Sequence, residues 1–130
     1  MSQPTIMVIN DVDEMAELLA TMLNVFGDYR TLTAYDGKTA IALAISNRPD
    51  LILVDNIMPD PDGYEVCRAV RANPLTSAIP IIMTMHSQMP GYESRGLEVG
   101  DDGFLYYPIP VDPLIDQVKA VLARGHSGEQ

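Results

Sequence analysis

The sequence predicts an α/β domain, a doubly wound (βα)5 architecture on a five-stranded parallel sheet with strand order 2-1-3-4-5. Three observations carry this expectation. Short β-rich apolar runs alternate with amphipathic segments five times along the chain. The central runs, Ile6-Met7-Val8-Ile9 and Leu51-Ile52-Leu53-Val54, are continuously apolar, as strands covered on both faces must be. The 130 residues, 47% hydrophobic and 20% charged, suffice for one core and exclude intrinsic disorder. Alternation alone leaves the strand order open, and the right-handed crossover rule selects it.

Thr5 to Ile9 forms the first predicted strand. Asp13 is placed to cap a helix in which Met15, Leu18, Leu19, Met22, Leu23 and Phe26 recur at helical spacing. Gly27 and Asp28 end it before a weaker strand over Arg30 to Ala34. Asp36-Gly37 turns into a second helix with Ala40, Ile41, Ala44 and Ile45 on one face, stopped before Pro49. The third strand ends on Asp55. Asp62, with Glu65 three residues on, resembles a capping box, and the helix it opens carries Val66, Cys67, Ala69 and Val70 to Ala72. Ile79 to Thr84 reads as the fourth strand, and Pro90 to Val99 as a poor helix holding Gly91 and Gly96. Phe104-Leu105-Tyr106 is the fifth strand. The last helix starts at Asp112-Pro113, cap then proline, with Leu114, Ile115, Val118, Val121 and Leu122 inward. One domain is expected over residues 1–124, followed by a fraying polar tail over 125–130.

Acids outnumber bases 18 to 8, for a formal charge of -10. Eight scattered Lys and Arg make no basic face, which argues against nucleic acid and against an anionic membrane. No apolar run approaches the roughly 18 residues of a membrane span. No basic segment precedes an apolar run near Met1, so no signal peptide is expected. The one cysteine, Cys67, cannot form an internal disulfide; it reads as core packing in a cytoplasmic protein.

Doubly wound sheets bind ligands at the strand C-terminal ends, by the topological switch point. Those positions hold Asn10-Asp11, Asp55, Met85-His86 and Tyr107-Pro108. Asn10, Asp11, Asp55 and Met85 are therefore expected in one crevice. A lone acid there serves equally well as a solvated helix cap. Two carboxylates from central strands, beside an amide, suit a hard cation such as Mg²⁺. With no lysine beside them, crowding of Asp11 and Asp55 should raise at least one carboxyl pKa.

Ile6-Met7-Val8-Ile9-Asn10-Asp11, Pro49-Asp50-Leu51-Ile52-Leu53-Val54-Asp55 and Met58-Pro59-x-x-Asp62-Gly63 resemble the receiver domain of two-component response regulators. Ile79-Pro80-Ile81-Ile82-Met83 and Gly100-Asp101-Asp102-Gly103-Phe104-Leu105-x-x-Pro108 match too, so the resemblance runs over residues 4–124 in order. It implies the flavodoxin-like, CheY-like fold and a phosphorelay signalling module rather than an enzyme. By the same resemblance Asp55 is the phosphoacceptor. Asp11, Asp55 and the backbone carbonyl of Ile57 would ligate Mg²⁺, Phe104 would be the switch aromatic, and the Tyr107–Pro108 bond would be cis.

Three departures from the family pattern stand out. The family usually has two acids after strand one, and the first is here Asn10, which leaves a weaker, water-mediated metal contact. The Ser or Thr expected at the end of strand four is Met85. Thr84 lies one residue early and by alternation is assigned to the opposite face. The lysine expected before Pro108 is Tyr107, and neither Lys38 nor Lys119 is placed to replace it. The switch is therefore expected to be impaired. His86, beside the site, has the chemistry of a general base but reads first as a surface loop histidine, and Tyr106-Tyr107 with the fourth helix reads as an exposed aromatic patch.

Three functions compete at this level. The first is a phosphorylatable receiver served by a histidine kinase or phosphotransfer protein. The second is a pseudo-receiver that docks a protein partner through its fourth helix and fifth strand whatever the state of Asp55. The third, a flavodoxin-like cofactor binder, lacks a Gly-rich phosphate loop, and Asn10-Asp11-Val12-Asp13 would repel a cofactor phosphate. The expectation is a receiver, monomeric or weakly dimeric, either standing alone or part of a longer chain.

Overall fold

The computed structural model describes residues 3–126. Strands β1 (Thr5–Ile9), β2 (Arg30–Ala34), β3 (Leu51–Asp55), β4 (Ile81–Met85) and β5 (Gly103–Tyr106) alternate with five helices. These are α1 (Asp13–Gly27), α2 (Gly37–Asn47), α3 (Gly63–Ala72), α4 (Tyr92–Val99) and α5 (Val111–Arg124). All pairings are parallel, and the order is β2-β1-β3-β4-β5. It is the predicted flavodoxin-like arrangement.

Alternation along the strands sorts their side chains into two cores. Met7, Ile9, Ile52, Val54, Met83 and Met85 pack with Ala40, Ala44, Val66 and Cys67. Ile6, Val8, Leu51, Leu53 and Ile82 pack with Leu19, Leu23, Leu114 and Val118 on the other side. Every residue of β3 and β4 is buried, which is why those runs are apolar except for Asp55 and Thr84 at their C-terminal ends. Cys67 is a free, buried thiol whose Sγ donates to the Val99 carbonyl, and burial pushes its pKa up to about 12.

The α3 N-terminus lies hard against the end of β3. A Cβ at Gly63 would come within 2.2 Å of the Asp55 carbonyl oxygen, so only glycine allows this approach. The expected capping box is present: Asp62 accepts from the Glu65 amide, and Glu65 accepts from the Asp62 amide.

Helix starts differ from the sequence reading in two places. Val12 is the N-cap of α1 and makes no side-chain cap, while Asp13 is the first helical residue, favourably placed at the positive helix end. Pro110 precedes α5, so Asp112 and Pro113 fall within its first turn, where a missing N–H costs nothing. Leu18 is 54% exposed, because the stripe through Ala16, Leu19 and Leu23 turns it away from the core.

The start of the expected fraying tail is tied down. Arg124 donates to the Asp102 carbonyl, and His126 Nδ1 lies 2.8 Å from Asp102 Oδ1. The rest of that tail, residues 127–130, lies outside the described residues. No described helix is long and apolar enough to cross a membrane.

Candidate functional site

The central strands end side by side. Ile9 pairs with Val54, and Asp55 pairs with Thr84. Asn10 follows β1 directly. It is 1% exposed and Asp55 3%, while Asp11 faces solvent. Ile57, two residues after Asp55, is half exposed.

Thr84 and Met85 exchange the places that the sequence reading assigned them. Partners in a parallel ladder project to the same face, so Thr84 accompanies Asp55. Its Oγ1 donates to Asp55 Oδ1 over a long 3.4 Å. Met85 projects the other way, is fully buried, and packs in the core that holds Met83 and Val54. It is not in the crevice. The missing hydroxyl at position 85 is thus accompanied by a hydroxyl one residue earlier, already turned toward the carboxylate.

The same alternation splits Tyr106 from Tyr107. Tyr106 pairs with Met85, and its hydroxyl donates a hydrogen bond to Glu93 of α4. Tyr107 turns to the Asp55 side. Its hydroxyl accepts from Asn10 Nδ2 at 2.9 Å and donates to Thr84 Oγ1 at 3.0 Å. Asn10 Oδ1 in turn accepts from the Val12 amide at 2.9 Å. A chain of neutral groups, Asn10 to Tyr107 to Thr84, therefore ends on the Asp55 carboxylate. The Tyr107–Pro108 peptide is cis, as is Asp60–Pro61. Phe104 pairs with Met83, on the face away from Thr84, and meets Tyr106 edge-on at 5.6 Å. No aromatic pair Tyr106-Tyr107 is presented to solvent.

His86 is exposed, but it is not a free loop side chain. Its ring stacks on that of Tyr107, with centroids 4.2 Å apart and planes 16° from parallel. Asp55 has its pKa raised to about 6, first by burial; His86 opposes the shift, and the Asp11 carboxylate adds to it. The expected crowding is real but smaller than desolvation. Burial likewise pushes Tyr107 up to about 12, so near neutral pH its hydroxyl keeps its proton and remains a donor.

Two carboxylates and a main-chain carbonyl are the oxygen chemistry a hard cation takes. Asn10 does not add to that set freely, since its amide oxygen and nitrogen are both engaged. Among the described residues no group of three or more His, Cys, Asp or Glu is arranged to hold a metal ion. The residues fit Mg²⁺ thinly, through Asp11, Asp55 and Ile57.

Sequence reasoning missed Thr84 as a neighbour of Asp55, and it missed the stack of His86 on Tyr107. The signal for Thr84 was available: it is the one hydroxyl within β4, and Asp55 ends the strand that pairs with it. It also missed a buried polar contact behind the site, where Asn56 Nδ2 donates to the Tyr64 hydroxyl at 3.1 Å.

Comparison with known proteins agrees with this geometry. The family model described as the response regulator receiver domain matches residues 6–119. The phosphate regulon transcriptional regulatory protein PhoB of Pseudomonas aeruginosa is 34% identical over 125 residues, covering 96% of this chain and 54% of that protein. The response regulator PleD of Caulobacter vibrioides is 36% identical over 116 residues, or 89% of this chain and 25% of that protein. This chain thus spans about half the length of the first and a quarter of the second. The crystallised chemotaxis protein CheY4 of Vibrio cholerae superposes with a TM-score of 0.87 at 28% identity, covering 92% of this chain and 99% of that one. With a buried carboxylate at the end of β3, the 2-1-3-4-5 sheet and a family match spanning all five strands, the chain belongs to the response regulator receiver domains of two-component signalling.

Proposed function

We propose that Asp55 accepts a phosphoryl group and that the switch reading this modification is impaired. The observation supporting this is the neutral chain Asn10–Tyr107–Thr84 ending on Asp55, in the position where the family has a lysine ion pair. A carboxylate oxygen of Asp55 forms the new P–O bond while the donor's bond to phosphorus breaks and the donor leaves with the electron pair. Receiver domains typically bind Mg²⁺ at this site, where it neutralises the phosphoryl oxygens. Asp11, Asp55 and the Ile57 carbonyl would hold it here, with Asn10 contributing through water. An affinity in the millimolar range is expected from so few charged ligands; isothermal titration giving micromolar binding would contradict that.

The chemistry and its readout separate at this site. Thr84 can donate to an oxygen on Asp55. Met85, however, has no hydroxyl and no place in the crevice, so it cannot couple a phosphoryl group to the β4–α4 loop. Switching requires contacts that differ between the two states. Two lost charge-assisted contacts at ~1.5–3 kcal/mol each compare with the ~5.5 kcal/mol needed for full reversal of a two-state equilibrium.

Treatment with a small acyl phosphate and Mg²⁺, followed by intact-mass measurement, tests the acceptor. The expected result is a gain of one phosphoryl group, absent in Asp55→Asn. Wild-type protein with no gain supports the second reading, a pseudo-receiver docking its partner independently of Asp55. The exposure of Leu97 (73%) on α4 and of Phe104 on β5 favours that face for docking. A histidine kinase or phosphotransfer protein is the partner under the first reading.

A further inference from the structure

We propose that His86 is the phosphoryl-binding residue of this site, supplying from the end of β4 the side-chain nitrogen donor that the chain lacks before Pro108. The inference rests on the reading of Asp55 as phosphoacceptor and adds the group that holds its product. Two observations lead to it. His86 directly follows Met85, the last residue of β4, and Thr84 in that strand pairs with Asp55, so His86 leaves the sheet at the mouth of the crevice. Its ring lies flat on Tyr107, whose hydroxyl is bound to Thr84 and through it to Asp55. The stack holds the imidazole on Tyr107, exposed to solvent at the strand-end side of the sheet on which Asp55 lies.

The chemistry agrees with the placement. Among the groups whose charge acts on Asp55, His86 acts more strongly than Asp11 and with the opposite sign. Among the described residues no Lys or Arg forms an ion pair with Asp55. An imidazole carries an N–H donor when neutral and two when protonated, so it can bind phosphoryl oxygens in either state. Stacking on Tyr107 favours one orientation of the ring, which lowers the ordering cost of the contact. Tyr107 then has two duties: its hydroxyl completes the chain to Asp55, and its ring seats His86.

Four proteins separate a donor from a spacer: wild type, His86→Ala, His86→Lys and His86→Phe. Each is treated with acetyl phosphate and Mg²⁺, and the fraction carrying a phosphoryl group and its lifetime after donor removal are read by intact mass. His86→Ala is expected to shorten the lifetime about tenfold, ~1.4 kcal/mol. His86→Lys, which restores a cationic donor without the stack, should recover most of it. His86→Phe keeps an aromatic ring on Tyr107 without a donor and should behave as His86→Ala does. A second readout uses beryllofluoride with Mg²⁺: the His86 imidazole resonances should shift in wild type and stay unchanged in Asp55→Asn. Equal lifetimes in wild type and His86→Ala, or rescue by Phe and not by Lys, overturn the inference while leaving Asp55 as acceptor. No phosphoryl gain in any of the four, with unmoved imidazole resonances, overturns both.

Discussion

At the C-terminal end of the sheet, Asp55 is buried and receives a single side-chain hydrogen bond, from Thr84 at 3.4 Å. At the opposite end Asp102 receives Arg71 at 2.9 Å, the Ile81 amide at 2.9 Å and His126 at 2.8 Å. Arg71 also binds the carbonyls of Gly100, Ser77 and Ile79, so one guanidinium ties α3 to the turns before β4 and β5. The difference separates a structural acid from an available one. Asp102 has its charge answered within the fold, whereas Asp55 keeps lone pairs and an elevated pKa for an incoming group. Asp101 warns against reading the pKa alone. Burial raises it to about 7, with one oxygen unpartnered beside Gly96, yet it lies at the end remote from the crevice.

The largest effect is expected at Arg71. Arg71→Ala removes the principal counter-charge of a buried acid and should cost about 3–5 kcal/mol of stability. Urea unfolding measures it, and a loss below ~1 kcal/mol would mean that the Asp102 contacts hold little together.

Asp55→Asn should do the reverse. The folded pKa of about 6 exceeds the ordinary 3.8, so the folded chain binds this proton more tightly than the unfolded one. That stabilisation is complete below the ordinary pKa and is lost as pH rises through about 6. Above that, ionised Asp55 costs roughly 2–3 kcal/mol at about 1.4 per pKa unit. Asp55→Asn is expected to exceed wild type in urea midpoint near pH 8, and to lose that advantage near pH 4. An equal advantage at both would assign the effect to something other than ionisation. Asp101→Asn should follow the same sign, with its window reaching about 7.

The smallest effect is expected at Tyr107. Tyr107→Phe leaves Asn10 Nδ2 without its acceptor and Thr84 Oγ1 without its donor. A loss of about 1–2 kcal/mol follows from one unsatisfied buried group, and no loss would mean that water replaces the hydroxyl.

How much of this was legible beforehand follows from which interactions are local. The fold could be read because each strand is an apolar run of its own, and the crossover rule orders them without any side-chain detail. Asn10, Asp55 and Tyr107 are legible because strand ends locate the crevice. The facing of Thr84 toward Asp55 is not legible because it depends on register between β3 and β4, a long-range quantity that no single strand carries. The role of His86 is not legible in the sequence because its stack on Tyr107 joins positions from separate strands. The Arg71–Asp102 tie was invisible for the same reason.

The central claim is that Asp55 can be modified while α4 and β5 hardly respond. Hydrogen exchange of the amides in α4 and β5, measured before and after acyl-phosphate treatment with Mg²⁺, tests it most directly, with occupancy of Asp55 checked by mass on the same sample. The account expects modified Asp55 and exchange rates there altered by less than about tenfold, ~1.4 kcal/mol. A larger change across both elements, abolished by Asp55→Asn, would contradict it and show a working switch.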